Sequence, residues 1–120
     1  MVIDEIRSFL GLYFDVLQNQ DLDLFDKVFH KDCVLYLQQD GQTTVRPYAE
    51  YRAMVAGRTA PEKLGSPRRD EVLLIDVLSD DMAMVKVRLR LFDNTMVDHL
   101  NLMKTDGHWM IFAKHFHRAA

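Results

Sequence analysis

Four of the five histidines lie near the end of the chain, in the segment DHLNLMKTDGHWMIFAKHFH from Asp98 to His117. A histidine beside a carboxylate can transfer protons near neutral pH, because the carboxylate orients the ring and supports its positive form. Asp98 and His115 are therefore the candidate catalytic pair, and His117 is a candidate ligand contact. Two imidazoles and a carboxylate could also bind a metal. The His-x-His spacing is ordinary strand alternation, however, so we predict no metal and no cofactor.

The pairing of these residues follows from the turn between the last two predicted strands. Asp-Gly suits the left-handed positions of a two-residue hairpin turn. With Asp106-Gly107 in that turn, Leu102 pairs with Ile111 and Asp98 pairs with His115, their Cβ atoms about 5 Å apart. We therefore predict that Asp98, His115 and His117 share one face of the sheet. The pair could equally be a buried structural contact that fixes the register, and the sequence leaves both roles open.

A second hairpin predicts the same inner face independently. With Asp93-Asn94 as its turn, Leu89 pairs with Asp98 and Val87 pairs with Leu100. A slip of one residue would turn polar side chains inward, which makes the face specific. The predicted inner face contains Ala83, Val85, Val87, Leu89, Leu91, Leu100, Leu102, Trp109, Ile111 and Ala113.

Further residues are candidates for the wall of an internal pocket. Their aromatic and apolar side chains suit the binding of a small, apolar or planar molecule, although aromatic spacing alone does not separate pocket lining from core packing. Besides His117, the predicted ligand contacts are Tyr13, Phe29, Tyr36, Tyr51, Met54 and Leu89.

The opposite face of the predicted sheet mixes basic and apolar residues. Its polar members are Lys86, Arg88, Arg90, His99, Asn101 and Lys114, and its apolar members are Met84, Val97, Met103, Met110, Phe112 and Phe116. This is more exposed apolar surface than a monomer usually carries. We therefore predict a homodimer through this face, centred on Met103, Met110, Phe112 and Phe116. The basic residues could also form a nucleic-acid groove, but the acidic overall balance and the lack of a binding motif argue against a nucleic-acid partner.

The order of elements follows from periodicity and turn signals. Apolar residues at helical spacing predict a helix over residues 2–18, and Asp21 can cap a second short helix. Asp40-Gly41 predicts a hairpin turn, and a third helix is predicted from Pro47 to Gly57. A long loop and four strands follow, giving the order α-α-β-β-α-β-β-β-β. Such a chain is an α+β protein whose curved antiparallel sheet wraps around three helices in its N-terminal half.

Composition sets the broad class of the protein. With 120 residues, 48% hydrophobic and 28% charged, the chain fits one globular domain over residues 1–120. Its formal net charge of −3 gives no reason to expect a polyanionic partner. Cys33 is the only cysteine, which excludes an internal disulfide and favours a reducing compartment. The first residues contain Asp4, Glu5 and Arg7 and lack a continuous apolar core, so we expect a cytoplasmic protein with no membrane segment.

Several segments together resemble a known family. These are DLDLFDKVFHKDCVLY, YRAMVAGR, PRRDEVLLIDV and VDHLNLMKTDGHWMIFAKHFH. They are similar to the NTF2-like superfamily, and within it to the putative lumazine-binding, SnoaL-like branch, over about residues 3 to 118. The resemblance implies a cone-shaped NTF2-like domain with an internal pocket, frequent homodimers through the sheet, and a pteridine-like ligand.

Two functions follow from this resemblance. The first is binding of a small molecule without chemical change. The second is a cofactor-free isomerase, cyclase or dehydratase, since enzymes of these kinds in the superfamily place an Asp or His acid–base group in the pocket. Asp98 and His115 match that pattern by their predicted position on the sheet. Tyr13, on the first helix, is the possible counterpart of the tyrosine that forms an oxyanion hole in the isomerases.

Overall fold

The computed structural model describes residues 1–120 and contains three α-helices and six strands. The helices are α1 (Val2–Asn19), α2 (Leu22–Val28) and α3 (Tyr48–Gly57). The strands are β1 (Phe29–Gln39), β2 (Gln42–Pro47), β3 (Asp70–Ser79), β4 (Met82–Leu91), β5 (Asn94–Thr105) and β6 (His108–Arg118). The predicted α+β class and the predicted order of elements are confirmed.

Local sequence explains where the helices begin and end. Asp21 caps α2 with its carboxylate, which accepts hydrogen bonds from the backbone N–H groups of Asp23 and Leu24. Just before it, Gln20 closes α1 in the left-handed conformation, with φ 54°. The apolar stripe of α1 is buried from Ile6 to Leu17, whereas Ile3 remains exposed.

The six strands form one sheet in the order β2-β1-β6-β5-β4-β3. Four of the neighbouring pairs are antiparallel, and the pair β1 and β6 is parallel. The first hairpin therefore lies beside the last strand, which places residues from both ends of the chain side by side.

The core lies between the helices and one face of the sheet. It is a cluster of 22 buried residues that includes Ile6, Leu10 and Tyr13 of α1 and Val85, Leu100 and Ile111 of the sheet. Helix α3 is fastened to α2 by Asp26, whose carboxylate accepts hydrogen bonds from Arg52 at 2.7 and 2.9 Å and from the Tyr48 hydroxyl. This fixes the position of α3 over the sheet. None of the helices is both long and apolar enough to cross a membrane.

The predicted turn between β4 and β5 lies one residue too late in the chain, so the predicted pairing of the two strands is wrong by two residues. The loop is Phe92-Asp93 rather than Asp93-Asn94, so Leu89 pairs with Met96, and Asp98 pairs with Val87. Phe92 takes the left-handed conformation with φ 56°, and the Arg90 guanidinium donates a hydrogen bond to its carbonyl at 2.9 Å. Because the shift is an even number of residues, the predicted inner face of β4 is retained.

The predicted register of β5 and β6 is wrong beyond Leu102. Leu102 pairs with Ile111 as expected, but Asn101 then pairs with Ala113, and Asp98 pairs with Phe116 instead of His115. A β-bulge with Phe112 as the extra residue accounts for the change, since two residues of β6 oppose one of β5 there. The bulge reverses the faces of all later residues of β6.

Candidate functional site

Asp98 is a buried carboxylate whose two oxygens have different environments. It is 1% exposed and lies on β5 opposite α1. Its Oδ2 accepts a hydrogen bond from the Tyr13 hydroxyl at 2.7 Å and lies 3.8 Å from the Lys114 Nζ. Its Oδ1 is buried and has no hydrogen-bond partner. A buried carboxylate oxygen without a donor is unfavourable, so this oxygen can accept a hydrogen bond from a ligand.

Lys114 is the buried cation that accompanies Asp98. It is 5% exposed, and the bulge in β6 turns it inward. Aromatic rings surround its ammonium group, with Nζ 5.2 Å from the Tyr13 ring centroid, 5.4 Å from that of Tyr51 and 5.9 Å from that of Phe116. Ring faces attract a cation, which offsets part of the loss of hydration.

Burial also changes the acidity of two neighbouring groups. The pKa of the Tyr13 hydroxyl is raised well above its ordinary 10.0, first by burial and then by the negative charge of Asp98. Burial raises the pKa of the Cys33 thiol from 9.0 to about 12, against a smaller opposing effect of Lys114. Tyr13 therefore remains a hydrogen-bond donor, and Cys33 is not a thiolate near neutral pH.

A cavity of about 150 Å³ adjoins this cluster. Asp98 and Lys114 form part of its wall. The side chain of Met54, which also lines it, is 40% exposed, so the cavity reaches the surface beside α3. The residues that line the cavity are Leu17, Leu35, Arg46, Tyr51, Met54, Arg58, Leu89, Leu91, Met96, Asp98, Lys114 and Phe116.

Two arginines also line the cavity. Arg46, on β2, pairs with Glu50 at 3.6 Å, yet its Nε is buried and makes no hydrogen bond. Arg58 follows α3 and stacks its guanidinium 5.5 Å from the Phe92 ring centroid. Its Nε and Nη2 are likewise buried without a hydrogen-bond partner. These N–H groups are suited to bind the oxygens of an anion.

The structure brings some of the predicted ligand contacts to this cavity and not others. Tyr51, Met54 and Leu89 line it together with Asp98. Tyr13 reaches the site through its hydrogen bond to Asp98. Phe29 is buried in the aromatic core, stacked on Phe25 at 4.5 Å.

The predicted arrangement of the histidines is wrong, because the bulge turns them outward. His115 is exposed, pairs with His99, and has its ring 5.6 Å from that of Tyr36. His117 is exposed beside Val97, and Tyr36 lies on the same outer face. Asp98 is thus not beside His115, and no three His, Cys, Asp or Glu side chains converge on a possible metal position.

The assignment of Lys114 and Phe116 to the outer face is wrong for the same reason. Both line the cavity. Ala113, predicted on the inner face, pairs with outward-facing Asn101. Met103, Met110 and Phe112 remain partly exposed, and Met103 and Phe112 line an apolar groove outside the sheet.

Sequence reasoning missed the cationic residues of the site. Arg46 could have been found, because the Asp40-Gly41 turn pairs it with inward-facing Leu35. Lys114 was assigned to the wrong face because regular alternation carries no sign of the bulge. Arg58 follows a helix and has no periodicity that would place it.

The comparisons with known proteins show the family and the fold of the chain. Residues 1–117 match the family described as "putative lumazine-binding". The chain belongs to this family. No curated protein sequence matches it. The family description and the architecture support a ligand-binding fold.

Three solved structures with the same architecture are NTF2-like proteins of unknown function. One from Shewanella baltica OS155 superposes with a TM-score of 0.82 at 18% identity, covering 98% of this chain and 94% of that one. A protein from Methylobacillus flagellatus KT gives 0.81 at 21% identity, covering 98% and 92%. A third, from Silicibacter pomeroyi DSS-3, gives 0.80 at 16% identity, covering 97% and 94%. At these identities the likeness shows the fold alone, which is NTF2-like.

Proposed function

We propose that the chain binds a small planar molecule in the cavity beside Asp98. The observation that carries this proposal is the buried Oδ1 of Asp98, which has no hydrogen-bond partner and belongs to a residue of the cavity wall. A ligand with a ring N–H or a hydroxyl group would donate to this oxygen. Such a contact would fix the orientation of the ligand, because the other oxygen is already held by Tyr13.

The lining and the volume of the cavity support a ring-containing ligand of modest size. Tyr51 and Phe116 contribute aromatic side chains to the wall, and four leucines are among the other apolar residues that line it. An apolar cavity of about 150 Å³ is large enough to hold benzene. Two methionines, Met54 and Met96, also line the cavity. Their flexible side chains can make room for a second ring, which keeps a pteridine, the ligand type in the family description, within the proposal.

Titration with two neutral probes tests the proposal. Phenol has one ring and one hydroxyl donor, and lumazine is a pteridine with ring N–H groups. We expect at least one of them to bind the native chain in isothermal titration calorimetry. Met54→Trp, which places an indole at the cavity entrance, should weaken that binding by more than about tenfold, or about 1.4 kcal/mol.

Ala53→Trp is the matched control for this experiment. Ala53 precedes Met54 on α3, is exposed, and does not line the cavity. The control variant should bind like the native chain. Equal binding by both tryptophan variants, or no binding of either probe to the native chain, would show that the ligand does not occupy this cavity.

A second candidate function is cofactor-free proton transfer by Asp98. It is favoured by the unequal environments of the carboxylate oxygens, since Oδ2 is held by Tyr13 while Oδ1 is free to accept a proton. The hypothesis of a cofactor-free isomerase, cyclase or dehydratase is therefore retained with Asp98 alone, since His115 does not lie beside it.

Hydrogen–deuterium exchange at the α-carbon of cyclohexanone, followed by NMR in D₂O, tests this chemistry. If Asp98 is a base, the native chain should accelerate exchange and Asp98→Asn should lose about 10²–10⁴-fold of that rate. His115→Gln should exchange like the native chain, because His115 is exposed on the opposite face. A loss with His115→Gln and none with Asp98→Asn would contradict the assignment.

We also propose the homodimer, through an outer face that differs from the predicted one. Phe116 no longer belongs to this face, whereas Met82, Met103 and Met110 form a cross-strand row on β4, β5 and β6. Leu78, Met84 and Phe112 join this row around an apolar groove. A second copy of the same surface would cover it.

A further inference from the structure

We infer that the ligand of this cavity carries one negative charge, a carboxylate bound by Arg58. This inference rests on the proposed binding of a small planar molecule beside Asp98 and adds the chemical class of that molecule. It comes from the net charge of the cavity wall, which is opposite in sign to the net charge of the whole chain. The chain has a formal net charge of −3, whereas the wall contains three cations and one carboxylate.

The ion pairs within the chain leave one of these cations without a partner. Lys114 is 3.8 Å from Asp98, and Arg46 is 3.6 Å from Glu50. Arg58 has no ion pair with any carboxylate, and its Nε and Nη2 are buried without an acceptor. The ring of Phe92 lies against its guanidinium, with the centroid at 5.5 Å. One positive charge therefore remains to be balanced, which favours a ligand with a single negative charge.

A carboxylate fits this charge and this geometry better than a phosphate. A guanidinium binds the two oxygens of a carboxylate through parallel N–H groups. A dianionic phosphate would exceed the single unbalanced charge and would be repelled by the Asp98 carboxylate in the same wall. The cavity volume of about 150 Å³ leaves room for one ring.

The unpaired polar atoms of residues that line the cavity together define the ligand. Asp98 Oδ1 requires a donor, and the N–H groups of Arg58 and Arg46 require an acceptor. A planar ring with a hydroxyl or amine at one end and a carboxylate at the other satisfies both. A hydroxylated aromatic acid is the simplest molecule of this class.

The test compares 4-hydroxybenzoate with its neutral amide, 4-hydroxybenzamide, by calorimetric titration at pH 7. The carboxyl group is ionised at this pH, since its ordinary pKa is about 4. We expect the acid to bind the native chain about tenfold or more tightly than the amide, a difference of about 1.4 kcal/mol. Arg58→Gln should remove this preference, so that the affinities of this variant for the acid and the amide differ by less than about twofold.

Arg7→Gln is the control, because it removes the same charge from an exposed position on α1 that does not line the cavity. It should retain the preference for the acid. If the amide binds as tightly as the acid, or if Arg7→Gln and Arg58→Gln lose the preference equally, the inference is overturned. If phenol still binds under the same conditions, only the inference about the negative charge is overturned, and the proposed binding in the cavity stands. If phenol, lumazine, the acid and the amide all fail to bind, both the proposed function and this inference are overturned.

Discussion

The unequal environments of the two Asp98 oxygens are the central feature of the site at the scale of single residues. Oδ2 is held by Tyr13 and lies near Lys114, and Oδ1 is buried without a partner. A hydrogen bond to a charged group typically contributes more than one between neutral groups. The Tyr13 hydroxyl therefore stabilises the fold as well as orienting Asp98.

Tyr13→Phe should lower the free energy of unfolding at pH 7 by about 2 kcal/mol, because Asp98 then has no hydrogen-bond donor. Urea unfolding followed by circular dichroism measures this change. Phe14→Leu, a neighbouring buried substitution without a polar group, reports the effect of altered packing alone. A Tyr13→Phe variant as stable as the native chain would show that the contact contributes nothing to stability.

Stability should also fall at alkaline pH, because burial raises the pKa of both Cys33 and Tyr13. The unfolded chain then loses these protons at lower pH than the folded chain, so the stabilisation is complete below the ordinary pKa and decreases above it. For Cys33 the affected range runs from 9.0 to about 12, and for Tyr13 it begins at 10.0. Urea midpoints at pH 8, 9 and 10 should decline progressively, and Cys33→Ala should decline less between pH 9 and 10. An equal decline in the native chain and in Cys33→Ala would show that Cys33 is not the cause of the pH dependence.

At the scale of elements, the β-bulge at Phe112 decides which residues of β6 enter the site. Phe112 stacks on the His30 ring at 4.1 Å, and the pairing of β1 with β6 is also irregular at this level. Beyond the bulge, Lys114 and Phe116 face the cavity and His115 and His117 face outward. Bulges often re-aim side chains beside functional sites.

Chemical labelling with mass spectrometry tests this reversal of faces. In the folded chain, N-hydroxysuccinimide acetate should leave Lys114 unmodified while it acetylates exposed Lys63, and diethyl pyrocarbonate should modify His115. Unfolding in urea should make Lys114 reactive. Rapid modification of Lys114 together with protection of His115 in the folded chain would show that β6 keeps a regular register without the bulge.

The elements were predictable from sequence because each has a local cause. Asp21 caps a helix, Asp106-Gly107 makes a tight turn, and alternating apolar residues define the inner face of β4. An even-numbered error at the Phe92-Asp93 turn did not disturb that face. The single extra residue at Phe112 had a larger effect, because odd-numbered shifts exchange the two faces of a strand. The pairing of β1 with β6 is irregular at the same level, and alternation along β6 alone does not reveal such an extra residue.

At the scale of the whole molecule, the sheet separates two different surfaces. The inner face packs on α1 and α3 and borders the cavity, whereas the outer face carries exposed or partly exposed apolar side chains, including Met82, Met103 and Phe112. Covering such a surface against a second copy releases water from apolar groups and is favourable. The outer face is therefore the proposed dimer interface.

Met103→Glu should shift the chain towards monomer, because it places a charge in the middle of the proposed interface. Sedimentation velocity at micromolar concentration measures the change from a species of twice 14.0 kDa to one of 14.0 kDa. Leu12→Glu, an equally apolar-to-acidic change on exposed α1, should leave the dimer intact. A native chain that sediments as a monomer, or a Met103→Glu variant that remains dimeric, would contradict this interface.

The methyl spectrum of methionine offers the most direct test of ligand binding in the cavity. Of the seven methionines, Met54 and Met96 line the cavity, whereas Met82, Met84 and Met103 line the outer groove. With ¹³C-methyl methionine in the native chain, titration with phenol and with lumazine should, for at least one of the two, shift the Met54 and Met96 signals and leave those of the outer groove in place. Ring-current shifts confined to Met82, Met84 and Met103, or no shift at any methionine, would contradict the proposal that the ligand lies beside Asp98.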